Sequence, residues 1–519
     1  MTYNKIRSIL IIGCSIGFAA CNLNEKLGST LTKSDADSVI KAPALLKTAY
    51  DNLQMPYQDF SNTWGLSEMS TDEAVGPTRA GDWDDNGVWR ALHQHIWTSD
   101  HAHIQNAFSR LLLEQFSATN VLNFKPTAGQ AAEARFLRAF SMFSVLDLWG
   151  QVPFRNPTDT LLNAPKVLKA QEALDYIIAE LTAITNDLGD RPSTPAYVAN
   201  KDAARFLLMK CYLNKGAFLN RQSPTFDAGD MAQVIKLADQ ITNGTGSYSL
   251  ANNYYDNFAR DNDVKSTENI FTQQNGPGIS TARGDNGNNV FARWKSTLHY
   301  NMIPSGWNGF TTLSDFYDKY EATDTRRGGS YSGVTDSTGL RVGFLVGQQY
   351  NVNGVALKDR KGNMLAFTRD VQLKETGNTL EITGIRVVKY PPDLSTSKNS
   401  RDGNEASNDF VFFRYADVLL MKAEALVRTG KAGDGLTIVN QLRTKRGASA
   451  FGALDVNNLL DERGRELFWE GWRRQDLIRF GKFLQPWQLK PTDDPKYLLF
   501  PIPTSDLAVN PNLKQNPGY

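Results

Sequence analysis

Between Phe410 and Gly481 the chain is dense in apolar residues whose polar interruptions fall into narrow stripes, a pattern that only a large helical body can accommodate. From Arg414 to Arg428, Asp417, Glu424 and Arg428 recur at i, i+7 and i+11, while Leu419, Ala423 and Leu426 occupy other parts of the wheel. So apolar a helix must be covered on most sides. Further on, Leu460, Gly464, Leu467, Phe468, Gly471 and Trp472 recur at i, i+4, i+7, i+8, i+11 and i+12. They predict a second amphipathic helix reaching Trp472, with Glu462, Glu466, Trp469 and Arg473 on another face. Gly471 costs such a helix about 1 kcal/mol relative to Ala, which is tolerable where another backbone approaches closely. Gly481 and Pro486 supply stop signals.

The amino terminus has the layout of a secretory signal over residues 1–20: Lys5 and Arg7, an apolar run from Ile9 to Phe18, then Ala19 and Ala20. That run is well short of the roughly 20 residues a spanning helix needs. Cys21 follows Phe-Ala-Ala, which resembles the lipobox of bacterial lipoproteins, where the cysteine becomes the lipid-modified first residue; ordinary cleavage would instead leave a free thiol. With Cys14 lost and Cys21 lipidated, only Cys211 remains, so no disulfide forms within the mature chain. Losing Lys5 and Arg7 turns the formal charge of +1 into −1, and nothing favours a nucleic-acid or polyanionic partner.

Helical periodicity continues elsewhere. Helices are expected over Ala36 to Gln54, from the Ser99-Asp100 cap through Leu113, and over Ala131 to Trp149, ended by Gly150. Three more fit Ala170 to Leu188, Lys201 to Gly216, with Cys211 as a buried small hydrophobe, and Met231 to Thr242. No clean 34-residue period is present. From about Tyr248 to Asp409 Gly, Asn, Ser and Thr become dense, and Arg341–Val346, Leu365–Thr368, Val371–Leu373 and Ile385–Tyr390 read as short strands. Loops of this kind, held on a rigid scaffold, are where binding residues concentrate.

Little in the chain points to catalysis. His93-Gln-His95 and His101-Ala-His103 diverge by about 200° within each pair on a helix, so neither converges on a metal, and the four read as helix-start or surface residues. Glu462, Glu466 and Glu470 form an i, i+4, i+8 row, whereas a glycosidase needs two facing carboxylates. Arg465 stands at i+3 from Glu462, and Arg473 and Arg474 at i+3 and i+4 from Glu470, which describes an ion-paired helix face. No phosphate loop or Gly-x-Ser-x-Gly elbow occurs. Aromatic residues among Gly, Asn and Asp are more informative: Trp83, then Trp294, Tyr300 and Trp307. Such rings stack on the C–H faces of sugars while Asp, Asn and Arg bind hydroxyls; alternatively each plugs its loop onto the core. Trp64, Trp89, Trp97, Trp149, Trp469 and Trp472 are assigned to packing.

Glu133 to Phe140 with Leu148-Trp-Gly-Gln-Val-Pro-Phe154, then Phe410 to Leu426, Asn440 to Gly447, Glu462 to Gly481, Leu499 to Pro503 and Asn510 to Tyr519, resemble in order and spacing the SusD-like (RagB/SusD) family of nutrient-binding lipoproteins. The resemblance implies a mainly α fold: a tetratricopeptide-like helix-turn-helix scaffold, about 35–245 and 410–481, with a loop-rich ligand-binding insertion, about 246–409, carrying short β-hairpins, all one domain from 21 to 519. It implies a protein lipid-anchored at Cys21 on the outer face of the outer membrane that captures oligosaccharide or polysaccharide and passes it to a SusC-like TonB-dependent transporter, without catalysis, metal or cofactor. Trp83, Trp294, Trp307 and Tyr300 would stack on glycan, and Asp72, Arg79, Asp82, Asn86 and Asn308 would bind it, Thr71-Asp-Glu73 with Arg79 being a family element. A peptide ligand is the runner-up within the family; an all-helical glycoside hydrolase and a structural docking lipoprotein are the readings outside it.

Overall fold

The computed structural model describes residues 41–160, 162–276, 279, 290–397, 406–491 and 493–519. The signal segment and Cys21 lie outside them. Helices dominate, in a run of neighbours that follows the sequence: Ala42–Asn52 rests on Ala102–Val121, which packs on Ala128–Trp149, then Ala170–Ile184, Lys201–Leu219 and Ala228–Thr242. The last of these packs on Tyr415–Arg428, which packs in turn on Ala432–Lys445. The helical stack therefore continues directly from residue 242 to residue 415, and everything between is carried on it.

Local chemistry sets the helix ends. Thr127 caps the 128–149 helix by accepting from Gln130 N–H, while Gln130 reaches back to the Thr127 N–H, and Gly150 closes it at φ +74°. The chain then pairs Gln151–Phe154 antiparallel with Lys166–Lys169. Cys211 is buried within the 201–219 helix. Among the described residues no helix is long and apolar enough to cross a membrane.

Small sheets organise the insertion. Asn269–Gln273 pairs antiparallel with Phe410–Arg414, joining its two ends. Val342–Leu345 lies between Arg386–Val388 and Gly328–Gly329, and Gly347–Gln348 pairs with Ala366–Phe367. The strand expected at 371–373 forms slightly later, at Lys374–Glu375, where it pairs in parallel with Thr78–Arg79. Bridges from Val75 to Thr311 and from Thr312 to Ile385 tie the early chain to the insertion.

The helix expected to run to Trp472 stops at Leu467, and a new one starts at Arg473. Trp469 takes φ +59° and Gly471 φ +86°. The turn is held from far away: Glu73 accepts from the Trp469 backbone N–H at 3.0 Å and its indole N–H bonds Glu73 O at 3.2 Å. Gly471 is thus required for its backbone conformation, and a Cβ there would meet nothing within 4 Å. No close backbone approach explains it.

The ion-paired face is buried and crosses between elements. Glu462 does meet Arg465 at 2.8 Å, but also Arg326 and Arg443. Glu466 meets Arg414, Arg446 and Arg326, and Glu470 pairs with Arg414 and Lys389 rather than Arg473 or Arg474. Asp417 and Glu424 likewise face Lys210, Arg463 and Arg479. His93 and His95 are buried, His93 lying between Ala74 O and Gln488 O and His95 between Asp493 and Ser70 O, whereas His101, next to Val88 O, and the half-buried His103 do stand at a helix start, that of the 102–121 helix. Burial drives His93 down to about 4, so the ring is neutral and its single N–H donates to either Ala74 O or Gln488 O, the other ring nitrogen having no donor from its carbonyl neighbour.

Candidate ligand-binding site

Three half-buried aromatic side chains from separate segments converge where the early chain meets the insertion. Trp83 adopts φ +61°, and its indole N–H donates to Trp307 O at 2.9 Å. The Trp83 ring lies 4.7 Å from Phe310 and 5.8 Å from Phe60, and Trp307 lies 6.1 Å from Phe60. Beneath them Trp89 and Phe310 pack at 4.8 Å as a buried floor. Gly309 is a glycine for contact reasons, since a Cβ would fall 2.3 Å from the Trp83 ring. The result is a fixed aromatic platform with partly open rings at Phe60, Trp83 and Trp307.

A polar edge adjoins it. The half-buried Tyr300 donates its hydroxyl to Asp82 Oδ2 at 2.9 Å, and the Arg360 guanidinium stands 3.8 Å from the Tyr300 ring. Arg360 also binds Glu381 at 2.8 Å. Burial, helped by Asp82, pushes the Tyr300 phenol up to about 12, so it stays a donor at neutral pH. Burial raises Glu381, but bonds from His299 and Arg360 outweigh it and leave the carboxyl below its ordinary value. His299 is driven the other way by burial, towards the neutral ring. Asn301 N–H donates to His299 Nδ1 at 3.0 Å, so the ring proton sits on Nε2 and faces Glu381 at 2.9 Å.

Of the residues singled out in the sequence, Trp83, Trp307, Tyr300 and Asp82 come together here, and Asn86 is exposed on the short 85–87 turn beyond Trp83. Four are not presented at this platform. Trp294 is 3% exposed and belongs to the core. Asn308 is buried and accepts from Arg386 at 2.8 Å. Arg79 is buried, donating to Gly309 O and to Leu380 O and Thr383 O, with its pKa lowered to about 10 by burial. Asp72 is held by two 2.7 Å bonds from Arg473. These polar groups fasten loops to one another, which their Gly-rich surroundings did not disclose. Phe60, Arg360 and Glu381 were missed; the only local signal for Phe60 is an aromatic ring flanked by Asp59 and Ser61. Among the described residues no group of His, Cys, Asp and Glu could hold a metal ion.

Residues 242–519 match the family model described as the SusD family. The starch-binding protein SusD of Bacteroides thetaiotaomicron is 26% identical over 511 residues, covering 89% of this chain and 86% of its own. The SusD-like protein P2 of Formosa agariphila is 24% identical over 469 residues, covering 84% and 82%. Among solved structures, a SusD superfamily protein from Parabacteroides distasonis superposes with TM-score 0.71 at 19% identity, covering 94% of this chain and all of its own. Surface glycan-binding protein A from Bacteroides thetaiotaomicron, solved in complex with laminarihexaose, gives 0.68 at 18% identity, covering 92% and 98%. The structural likeness establishes a shared fold, a mainly helical, tetratricopeptide-like scaffold with small sheets, and the family match spans more than half of the sequence: the chain belongs to the SusD family.

Proposed function

We propose that this protein binds glycan at the Phe60, Trp83 and Trp307 platform and hands it to a SusC-like TonB-dependent transporter, from a lipid anchor at Cys21 on the outer face of the outer membrane. The observation that carries the reading is the platform itself: three partly open rings, held by Gly309 and the Trp83-to-Trp307 hydrogen bond, beside a donor and acceptor edge at Tyr300, Asp82 and Arg360. Sugar rings present apolar C–H faces to aromatic rings and hydroxyls to flanking polar groups, so the arrangement suits capture and release. The starch-binding relative and the laminarihexaose complex support glycan as the ligand class. No step of bond cleavage is assigned to the protein. Calorimetric titration of the mature, unlipidated chain against starch-type and laminarin-type oligosaccharides and a peptide panel tests this: glycan binding without product formation is expected, whereas peptide binding with no glycan response overturns it.

A further inference from the structure

Asp72 lines a second concavity, separate from the aromatic platform, with a volume of about 330 Å³. Its base is built rather than incidental. Arg473, almost wholly buried, grips Asp72 through two bonds of 2.7 Å and donates to Leu460 O at 3.0 Å. A Cβ on Gly464 would lie 2.8 Å from Arg473 Nη1, so glycine there makes room for this arrangement. Phe316 and Trp487 supply apolar wall, and Lys490 stands 3.9 Å from the Trp487 ring centroid. Trp487 also carries a buried indole N–H with no acceptor among the described residues. None of the platform residues Phe60, Trp83, Tyr300 or Trp307 belongs to this lining.

The charges around the groove come in opposite signs. Asp72 faces Arg473, and Lys319 meets Asp461 at 2.7 Å. Asp315 and Lys482 also line it and have no ion pair among the described residues. With three carboxylates and three cations, the groove has no net charge to retain an ion, yet it offers strong acceptors and strong donors within one small volume. A hydroxyl both donates and accepts, so a ring bearing several hydroxyls meets both kinds of partner at once. The volume stands at the small end of ligand pockets, which suits one or two rings and no polymer.

We infer that this groove is a second ligand site, for a neutral mono- or disaccharide, with Asp315 and Lys482 as its polar contacts and Trp487 as its apolar wall. It repeats the ligand chemistry proposed for the platform but stands on its own geometry. The groove would hold the end of a chain or a released short sugar, where the partly open platform rings take a longer one.

The test follows the Trp487 indole N–H resonance of the ¹⁵N-labelled mature chain, assigned by its loss in Trp487→Phe. Glucose, maltose, laminaribiose and dialanine are each titrated to about 50 mM, a range that detects weak complexes. At least one of the three sugars should move the Trp487 signal in the wild type and equally in Trp83→Ala, which removes the platform response alone. Asp315→Asn and Lys482→Gln, at an exposed and a partly open position, should each weaken that response by about tenfold or more, the lower end of what one charge-assisted hydrogen bond contributes. No movement with any sugar, or movement abolished by Trp83→Ala, overturns the second site. Movement with dialanine and none with sugar overturns the ligand class. Absence of any Trp83-dependent sugar response in the unaltered protein, with the Trp487 response present, would sink the platform reading and leave this one standing.

Discussion

Replacing Glu466 by Gln should weaken the fold by about 3 kcal/mol without touching ligand capture. The Glu466 side chain is fully buried and its carboxylate meets Arg414 at 2.7 Å, Arg446 at 2.8 Å and Arg326 at 3.1 Å. Burial alone would raise its pKa, but the three guanidiniums outweigh it and hold the carboxyl far below the ordinary range. Gln keeps the size and removes the charge, and its amide NH₂ must face groups that only donate. Removing one partner of a buried pair costs about 3–5 kcal/mol because the other charge is left uncompensated. Here the lower end applies, since Arg326 keeps Asp324 and Glu462, Arg414 keeps Glu470, and Arg446 keeps Glu268. Urea unfolding of both proteins reads the difference as a shift in midpoint at unchanged slope. A loss below about 1 kcal/mol, the worth of an exposed pair, would refute the network as a structural element.

Acid should expose a second buried ion-pair cluster, that of Glu424 with Arg428, Arg463 and Arg479. Burial raises its carboxyl, but Arg479 and Arg428 lower it to about 2, so its stabilisation is complete above the ordinary value of 4.5 and lost as pH falls from there through 2. That amounts to roughly 3 kcal/mol, and Glu424→Gln should flatten this limb of a stability-against-pH curve. Trp83→Ala should weaken glycan binding at least about tenfold, with the near-ultraviolet dichroism of the other tryptophans retained. Gly309→Ala should do the same by pushing the Trp83 ring away, seen as a changed tryptophan emission together with lost affinity. Gly471→Ala should cost about 1–2 kcal/mol in urea unfolding through backbone strain at φ +86°, with no steric clash added.

Most long helices were legible because their signals are local. The 128–149 helix shows its apolar face and its stop at Gly150 within one stretch of sequence, whereas the expected start at Ala131 falls past the Thr127 and Gln130 capping box that sets it. The break after Leu467 was not legible, since the apolar spacing runs on through Trp472 while the force that bends the chain comes from Glu73, far away in sequence. The same distinction explains the site. Trp83, Trp307, Tyr300 and Asp82 were visible as aromatic and acidic residues in polar loops, but nothing local separates them from Trp294, Arg79 or Asn308, which the fold turns inward. Histidines at 93 and 95 looked like surface residues because their backbone partners, Ala74 and Gln488 for one and Ser70 for the other, lie on other segments. Phe60, Arg360 and Glu381 joined the site only through tertiary contacts.

Glycan capture by this protein depends, in the function proposed above, on the open rings of Trp83 and Trp307. Titrating the mature chain and a Trp83→Ala, Trp307→Ala double variant with the same oligosaccharide, under conditions where both remain folded, tests it most directly. Clear binding by the unaltered protein and at least about a hundredfold loss in the double variant are expected, since two stacking rings are removed. Equal affinities in the two proteins would contradict it.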